Sequence, residues 1–196
     1  GITGFTPSGN SNTIPVQTLT TNNTSPGTVT YTITPSIGSC VGTAVQYVIT
    51  VNPAPTFTSQ PIASSACQGA VLASLSVAIS SAVGSPLYQW YSNTVNNTTS
   101  GTLIPGATNA TYTPPSSAIG TLYYYCVITL SSGGCASLTS ATASITINPL
   151  ATITLQPLAT QNICVGVTIA SPLTVNFTGG TGTASYQWFS NTSNST

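Results

Sequence analysis

The chain repeats itself. Thr50-Val51-Asn52-Pro53 returns as Thr146-Ile147-Asn148-Pro149, and Gln60-Pro61 returns as Gln156-Pro157. Cys67 returns as Cys164, and Tyr88-Gln89-Trp90-Tyr91-Ser92-Asn93-Thr94 returns as Tyr186-Gln187-Trp188-Phe189-Ser190-Asn191-Thr192. The spacing is about 97 residues and widens slightly along the copy, as small loop insertions make it; it is the size of one β-sandwich domain. This fixes the folding unit, because a core has to close within roughly 100 residues. Only the copy over residues 54–149 is complete. Residues 1–53 read as the closing part of a different repeat, and 150–196 as the opening part of another copy, so the chain reads as a window on a longer array. The Asn-Pro pairs at 52–53 and 148–149 are the joints, where Pro ends a strand and stiffens a short linker.

Each unit is expected to be all-β. The sequence has 17 Gly and 14 Pro, which punctuate short alternating segments rich in Thr, Val, Ile, Tyr and Ser, while the strong helix formers Met, Glu, Lys and Arg are missing. Regular apolar alternation, 2 Trp and 9 Tyr argue against a disordered Ser/Thr-rich chain. In the complete copy, strand A is expected at 56–60 and strand B at 71–80, with Val71, Leu75 and Val77 pointing inward. Strand C spans 87–92 around Trp90, strand E 111–113 and strand F 121–130. A turn at 131–134 leads to strand G at 138–147.

Lys, Arg, Asp, Glu and His are all absent, whereas an average soluble chain is about a quarter charged. General acid–base catalysis is left with only Tyr and Cys, and no base exists to activate the many Ser and Thr hydroxyls. Carboxylate sites for calcium or magnesium cannot form, nor can His-containing zinc sites, so no metal or cofactor is expected. A nucleic-acid backbone meets no cation. What remains is a non-catalytic role in structure, adhesion or display. No apolar run approaches the roughly 20 residues of a membrane helix. Neutrality also leaves edge strands without charged guards, so either glycans cover the surface or the surface is meant to pack. Cys 5 in the composition, with no CxxC spacing, suggests an oxidising extracellular compartment rather than a metal site. The opening Gly1-Ile2-Thr3-Gly4 reads as the middle of something larger.

Tyr88-Gln89-Trp90-Tyr91, Gly106-Ala107-Thr108-Asn109-Ala110-Thr111-Tyr112 and Gly120-Thr121-Leu122-Tyr123-Tyr124-Tyr125-Cys126 together resemble a bacterial immunoglobulin-like repeat. Trp90 matches its strand C tryptophan, and Tyr124 lies two before Cys126 as in a tyrosine corner. The departure is on strand B, where Val77 stands in place of the usual core cysteine. Residues 28–35, 38–43 and 47–53 resemble the end of a PKD-like repeat. Both repeat types, joined by Asn-Pro, are similar to those of very large Bacteroidetes surface proteins, including gliding-motility adhesins. That resemblance implies type IX secretion, cell-surface anchoring and an adhesive or filamentous role. It also implies that the partners are neighbouring repeats of the same giant chain, with self-association or surface glycans as alternatives.

Several residues are candidates for more than packing. With Trp90 and Tyr124 inward, Tyr91, Tyr123 and Tyr125 point outward from strands C and F, and Phe189 repeats the Tyr91 position. This face is either a platform for sugars or another strand, or a set of cross-strand aromatic pairs that stabilise the sheet. Trp90, Tyr124 and Trp188 mark cores. Cys67 sits before strand B and Cys135 after the F–G turn, at ends about 23 Å apart for strands of roughly seven residues. That exceeds the roughly 4.4–6.8 Å Cα separation of a disulfide, so Cys126 is the better partner for Cys67, with Cys135 the alternative. Cys40 and Cys164 have no partner within their own partial repeats. Asn-x-Ser/Thr triplets at Asn22, Asn23, Asn96, Asn97, Asn109, Asn176, Asn191 and Asn194 arise readily by chance in so Ser/Thr-rich a chain. The Thr ladder of 28–34 lacks the short flat period that an ice-binding face needs.

Three functional readings follow: a structural stalk segment of an adhesin or surface filament, a glycan-binding module, and a laterally assembling fibre. A spacer attached to an enzyme would look the same.

Overall fold

The computed structural model describes residues 1–80, 83–132, 135, 137–169 and 171–193. The protein is all-β, with no helix among the described residues. Gly133 and Gly134 of the expected F–G turn, and Asn194, lie outside the described residues. By Cα packing the chain forms two compact units. One comprises Gly1–Ser64, Ala73–Pro114 and Leu122–Ile145; the other comprises Ser65–Leu72, Pro115–Thr121 and Thr146–Thr196.

In the first unit, β1 (Ile2–Thr3) pairs with β2 (Thr20–Thr21). The dominant hairpin joins β3 (Gly27–Ile33) to β6 (Val45–Val51), with β4 (Ser36–Ile37) and β5 (Cys40–Val41) forming a small ladder between them. The alternation of β-branched residues sets its two faces. Val29, Tyr31 and Ile33 stand opposite Ile49, Tyr47 and Val45, while Thr28, Thr30 and Thr32 stand opposite Thr50, Val48 and Gln46. A one-residue slip would exchange those faces completely, so this pattern fixes the register.

The complete copy contributes β7 (Phe57–Ser59), β8 (Ser64–Cys67), β9 (Leu75–Ser76), β10 (Ala78–Ile79), β11 (Pro86–Asn93), β12 (Thr102–Leu103), β13 (Thr111–Tyr112), β14 (Gly120–Leu130), β15 (Leu138–Thr139) and β16 (Ala143–Asn148). One sheet runs β12-β11-β14-β16-β8, with β15 also on β14. Facing it are two short pairs, β7 with β10 and β9 with β13. This is the immunoglobulin-like arrangement of two packed sheets. Its middle is the β11–β14 ladder, antiparallel from Pro86 opposite Leu130 to Asn93 opposite Tyr123. Leu75, Val77, Trp90, Cys126, Ile128 and Ile145 form the core. The sequence provides no side-chain ion pairs, so apolar burial, at about 25 cal/mol per Å², and hydrogen bonds hold the sandwich.

Three details differ from the sequence reading. Strand B is two fragments, β9 and β10, and begins four residues later than expected. Val71, expected inward, is consequently 98% exposed, while Leu75 and Val77 are buried. Strand G is likewise split into β15 and β16, and Ser140 repairs the break. Its Oγ accepts from the Cys126 backbone N at 2.9 Å and donates to the Ala141 carbonyl at 2.9 Å, while its own N donates to the Cys126 carbonyl. Finally, Cys67 does not merely precede strand B. It ends β8, an additional strand at the edge of the sheet.

In the second unit, β17 (Thr152–Leu155) pairs with β18 (Asn176–Thr178). Here Gln68 N donates to the Asn148 carbonyl at 2.8 Å, and Gln68 Nε2 donates to the Ser117 carbonyl at 2.6 Å. Thr121 and Thr146 join hydroxyls at 2.9 Å.

Candidate functional site

The aromatic residues of β11 and β14 separate into two populations. On the inner side, Trp90 is 0% exposed. Its indole Nε1 donates to the Asn109 carbonyl at 2.9 Å, and its backbone N donates to the Ala107 carbonyl. This explains the Gly106–Tyr112 segment chemically: it presents the carbonyls that satisfy Trp90 and delivers Tyr112 to its ring. Trp90 and Tyr112 lie 6.0 Å apart, and Tyr112 and Tyr124 lie 5.7 Å apart, both tilted. Burial raises both tyrosines above the ordinary phenol value, with the neighbouring Tyr112 adding to the effect on Tyr124.

Cys126 stands opposite Trp90 in the ladder and is completely buried. Burial pushes its thiol up to about 11, and a hydrogen bond with the Gln89 backbone offsets part of that rise. Such a thiol is inert as a nucleophile or ligand at neutral pH, since the thiolate is the reactive form. Val77 is buried in the facing sheet, where an immunoglobulin-like core usually has its second cysteine.

On the outer side, Tyr91 lies opposite Tyr125, and the rings stack at 5.2 Å with planes 6° apart. The expectation of an open platform fails at Tyr125, which is only 3% exposed. The connection between β11 and β12 folds over it. Gly101 lies so close that a Cβ there would sit 2.5 Å from the Tyr125 hydroxyl, so only glycine allows this approach. Asparagines hold the loop: Asn93 Nδ2 donates to Asn97 Oδ1 at 2.8 Å, and Val95 N donates to Asn93 Oδ1 at 3.1 Å. Asn97 Oδ1 also accepts from Thr99 N and Ser100 Oγ, and Thr142 Oγ1 donates to Asn96 Oδ1. Sequence alternation identifies the side of the sheet but cannot show this cover; the small residues Ser100-Gly101 were its only signal. Tyr91 and Tyr123 remain half-buried. Phe189 is exposed and belongs to no strand.

The expected Cys67–Cys126 bond is not formed, nor is Cys67–Cys135, because Cys67 is a free thiol exposed on β8. Cys126 is enclosed in the core, and β16 stands between β8 and β14 in the sheet. Two strand spacings, about 9.6 Å, exceed the Cα separation of a disulfide. The Cys135 thiol donates to the Pro53 carbonyl at 3.7 Å. Cys40 and Cys164 are exposed thiols. Trp188, expected as a core marker, is 55% exposed. Among the described residues, no cluster of Cys side chains could hold a metal, and no helix is long and apolar enough to cross a membrane.

Residues 1–55 match a PKD-like domain, and residues 58–149 match a domain of unknown function (DUF8696). No curated protein matches the chain. The first segment is thus similar to a PKD-like domain and is followed by an immunoglobulin-like sandwich, and neither match identifies a catalytic family.

Proposed function

We propose that this chain is a non-catalytic stalk segment of a large extracellular bacterial adhesin or surface filament. Its parts are the close of a PKD-like repeat at 1–53, a complete sandwich at 54–149 and the opening of a further sandwich at 150–196. Tandem sandwiches joined at Asn-Pro would hold a distal binding tip away from the cell. The resemblance of the repeats to Bacteroidetes surface proteins supports secretion by the type IX route and a part in gliding motility.

The observation that carries this reading is the use of aromatic surface inside the domain. Tyr125 lies beneath the chain's own Gly101, and Tyr91 covers its ring. A glycan platform needs open aromatic faces, whereas a spacer needs stiff ones. The absence of charged side chains fits the same role, removing the groups that acid–base chemistry and phosphate binding require.

A glycan array probed with the whole chain separates this reading from the glycan-binding alternative. No saturable binding is expected. Saturable binding that disappears in Tyr91→Ala, in a variant that retains its melting temperature, would contradict the stalk reading.

A further inference from the structure

Between the end of β16 at Asn148 and the start of β17 at Thr152 lie only Pro149, Leu150 and Ala151. A connection this short between two repeats can either swivel or lock, and its backbone decides which. The ring of Pro149 fixes its φ at about −65°, and the residue before a proline is confined to extended conformations. Asn148 is extended as the last residue of β16. The remaining freedom sits in the ψ of Pro149 and in Leu150 and Ala151.

Within the second compact unit, neighbouring chain removes that freedom from both sides. The Asn148 carbonyl accepts from Gln68 N at 2.8 Å. The turn carrying Gln68 is itself tied down, with Gly69 N donating to the Ser116 carbonyl at 2.9 Å and Gln68 Nε2 to the Ser117 carbonyl at 2.6 Å. The next carbonyl, that of Pro149, accepts from Gly180 N at 2.9 Å. Consecutive carbonyls are thus held by different repeats: Gln68 belongs to the one that ends at the joint, Gly180 to the one that begins there. Gly179 and Gly180 have φ of 80° and 70°, a left-handed pair that glycine adopts readily. A Cβ at Gly179 would lie 2.3 Å from the Leu150 carbonyl oxygen, and one at Gly180 would lie 3.5 Å from the Ala151 Cβ. The two glycines therefore lie directly against the joint backbone, continuing the pairing of Thr152 with Thr178.

We propose that Gly179-Gly180 is a backbone clasp that locks the joint at 148–151, making it a fixed coupling rather than a swivel. The other joint uses the same tactic with different residues, inside the first unit: Pro53 is buried and its carbonyl accepts from the Cys135 thiol at 3.7 Å. In both places the carbonyl of the joint proline is taken by a loop of the repeat that follows. Tension entering one repeat then reaches the next through backbone hydrogen bonds, with no slack to take up. A locked joint serves a stalk, a fibre or an enzyme-borne spacer equally, so it does not depend on the role given to the array.

NMR relaxation of the backbone amides in the isotope-labelled whole chain reads the joint directly. Locked Leu150 and Ala151 amides should have order parameters like those of a rigid strand, about 0.85, whereas a swivel gives values below about 0.6. Values in that flexible range overturn the proposal. In Gly179→Ala the joint amides should become flexible, because the added methyl displaces the Leu150 carbonyl, while Ile145 and Ile147 stay rigid. Gly182→Ala is the control. It strains a left-handed glycine with nothing within 4 Å of the added carbon, so it should leave the joint rigid. A joint that stays rigid in Gly179→Ala, or loosens equally in Gly182→Ala, also overturns the proposal.

Discussion

Replacing Trp90 by alanine should cost the sandwich about 3–5 kcal/mol, while the same replacement at Trp188 should cost less than about 0.5 kcal/mol. The two tryptophans occupy the same position of one repeat, so composition and local sequence cannot account for the difference. Trp90 is fully enclosed and packed near Tyr112. Its removal opens a cavity that the facing sheet cannot close, and it strands the Asn109 carbonyl that its indole satisfies. Loss of that hydrogen bond adds about 0.5–1.5 kcal/mol. Trp188 has water over more than half its surface and makes no comparable enclosed contact. Scanning calorimetry of the two variants checks this, since it needs neither indole as a reporter. The expected result is a large fall in the sandwich transition for Trp90→Ala and an unchanged transition for Trp188→Ala.

The second large effect is alkaline. With no carboxylate, imidazole or ammonium side chain, stability should be nearly flat between about pH 5 and 8. Above that range it should fall, and the sign follows from which state keeps its protons. Cys126 is raised to about 11 in the folded chain, so the unfolded thiol ionises first and draws the equilibrium toward unfolding. Its contribution is complete below the ordinary thiol value and disappears as pH rises through about 11, a loss of roughly 2 kcal/mol. Tyr112 and Tyr124 are raised in the same direction by burial and extend the decline above the ordinary phenol value. Urea midpoints at pH 8 and pH 11 measure the total. In Cys126→Ala the thiol contribution should vanish while the tyrosine contribution persists. An equal decline in both proteins would show that Cys126 contributes nothing.

The strands were legible where alternation and turn residues agreed. β11 and β14 fall within a residue of the expected spans, and Trp90 and Tyr124 are buried. What escaped depends on neighbours that are distant in sequence. Val71 fits an alternating strand, but strand B begins only at Leu75, where β9 finds β13 as a partner. Tyr125 points outward by parity, yet a loop knitted by Asn93 and Asn97 covers it. Trp188 carries the signature of a core residue, yet no strand pairs with its segment among the described residues and it is exposed. The disulfide expectation failed similarly, because β8 is an edge strand that no periodicity announced.

The stalk reading rests on each complete repeat being one mechanically cooperative block. Pulling a tandem array of this chain from its two ends tests that directly. The account predicts one abrupt unfolding event per complete sandwich, releasing a contour of roughly 330 Å for about 96 residues at about 3.4 Å each. Gradual extension, or release in several small steps at forces near thermal noise, would contradict it.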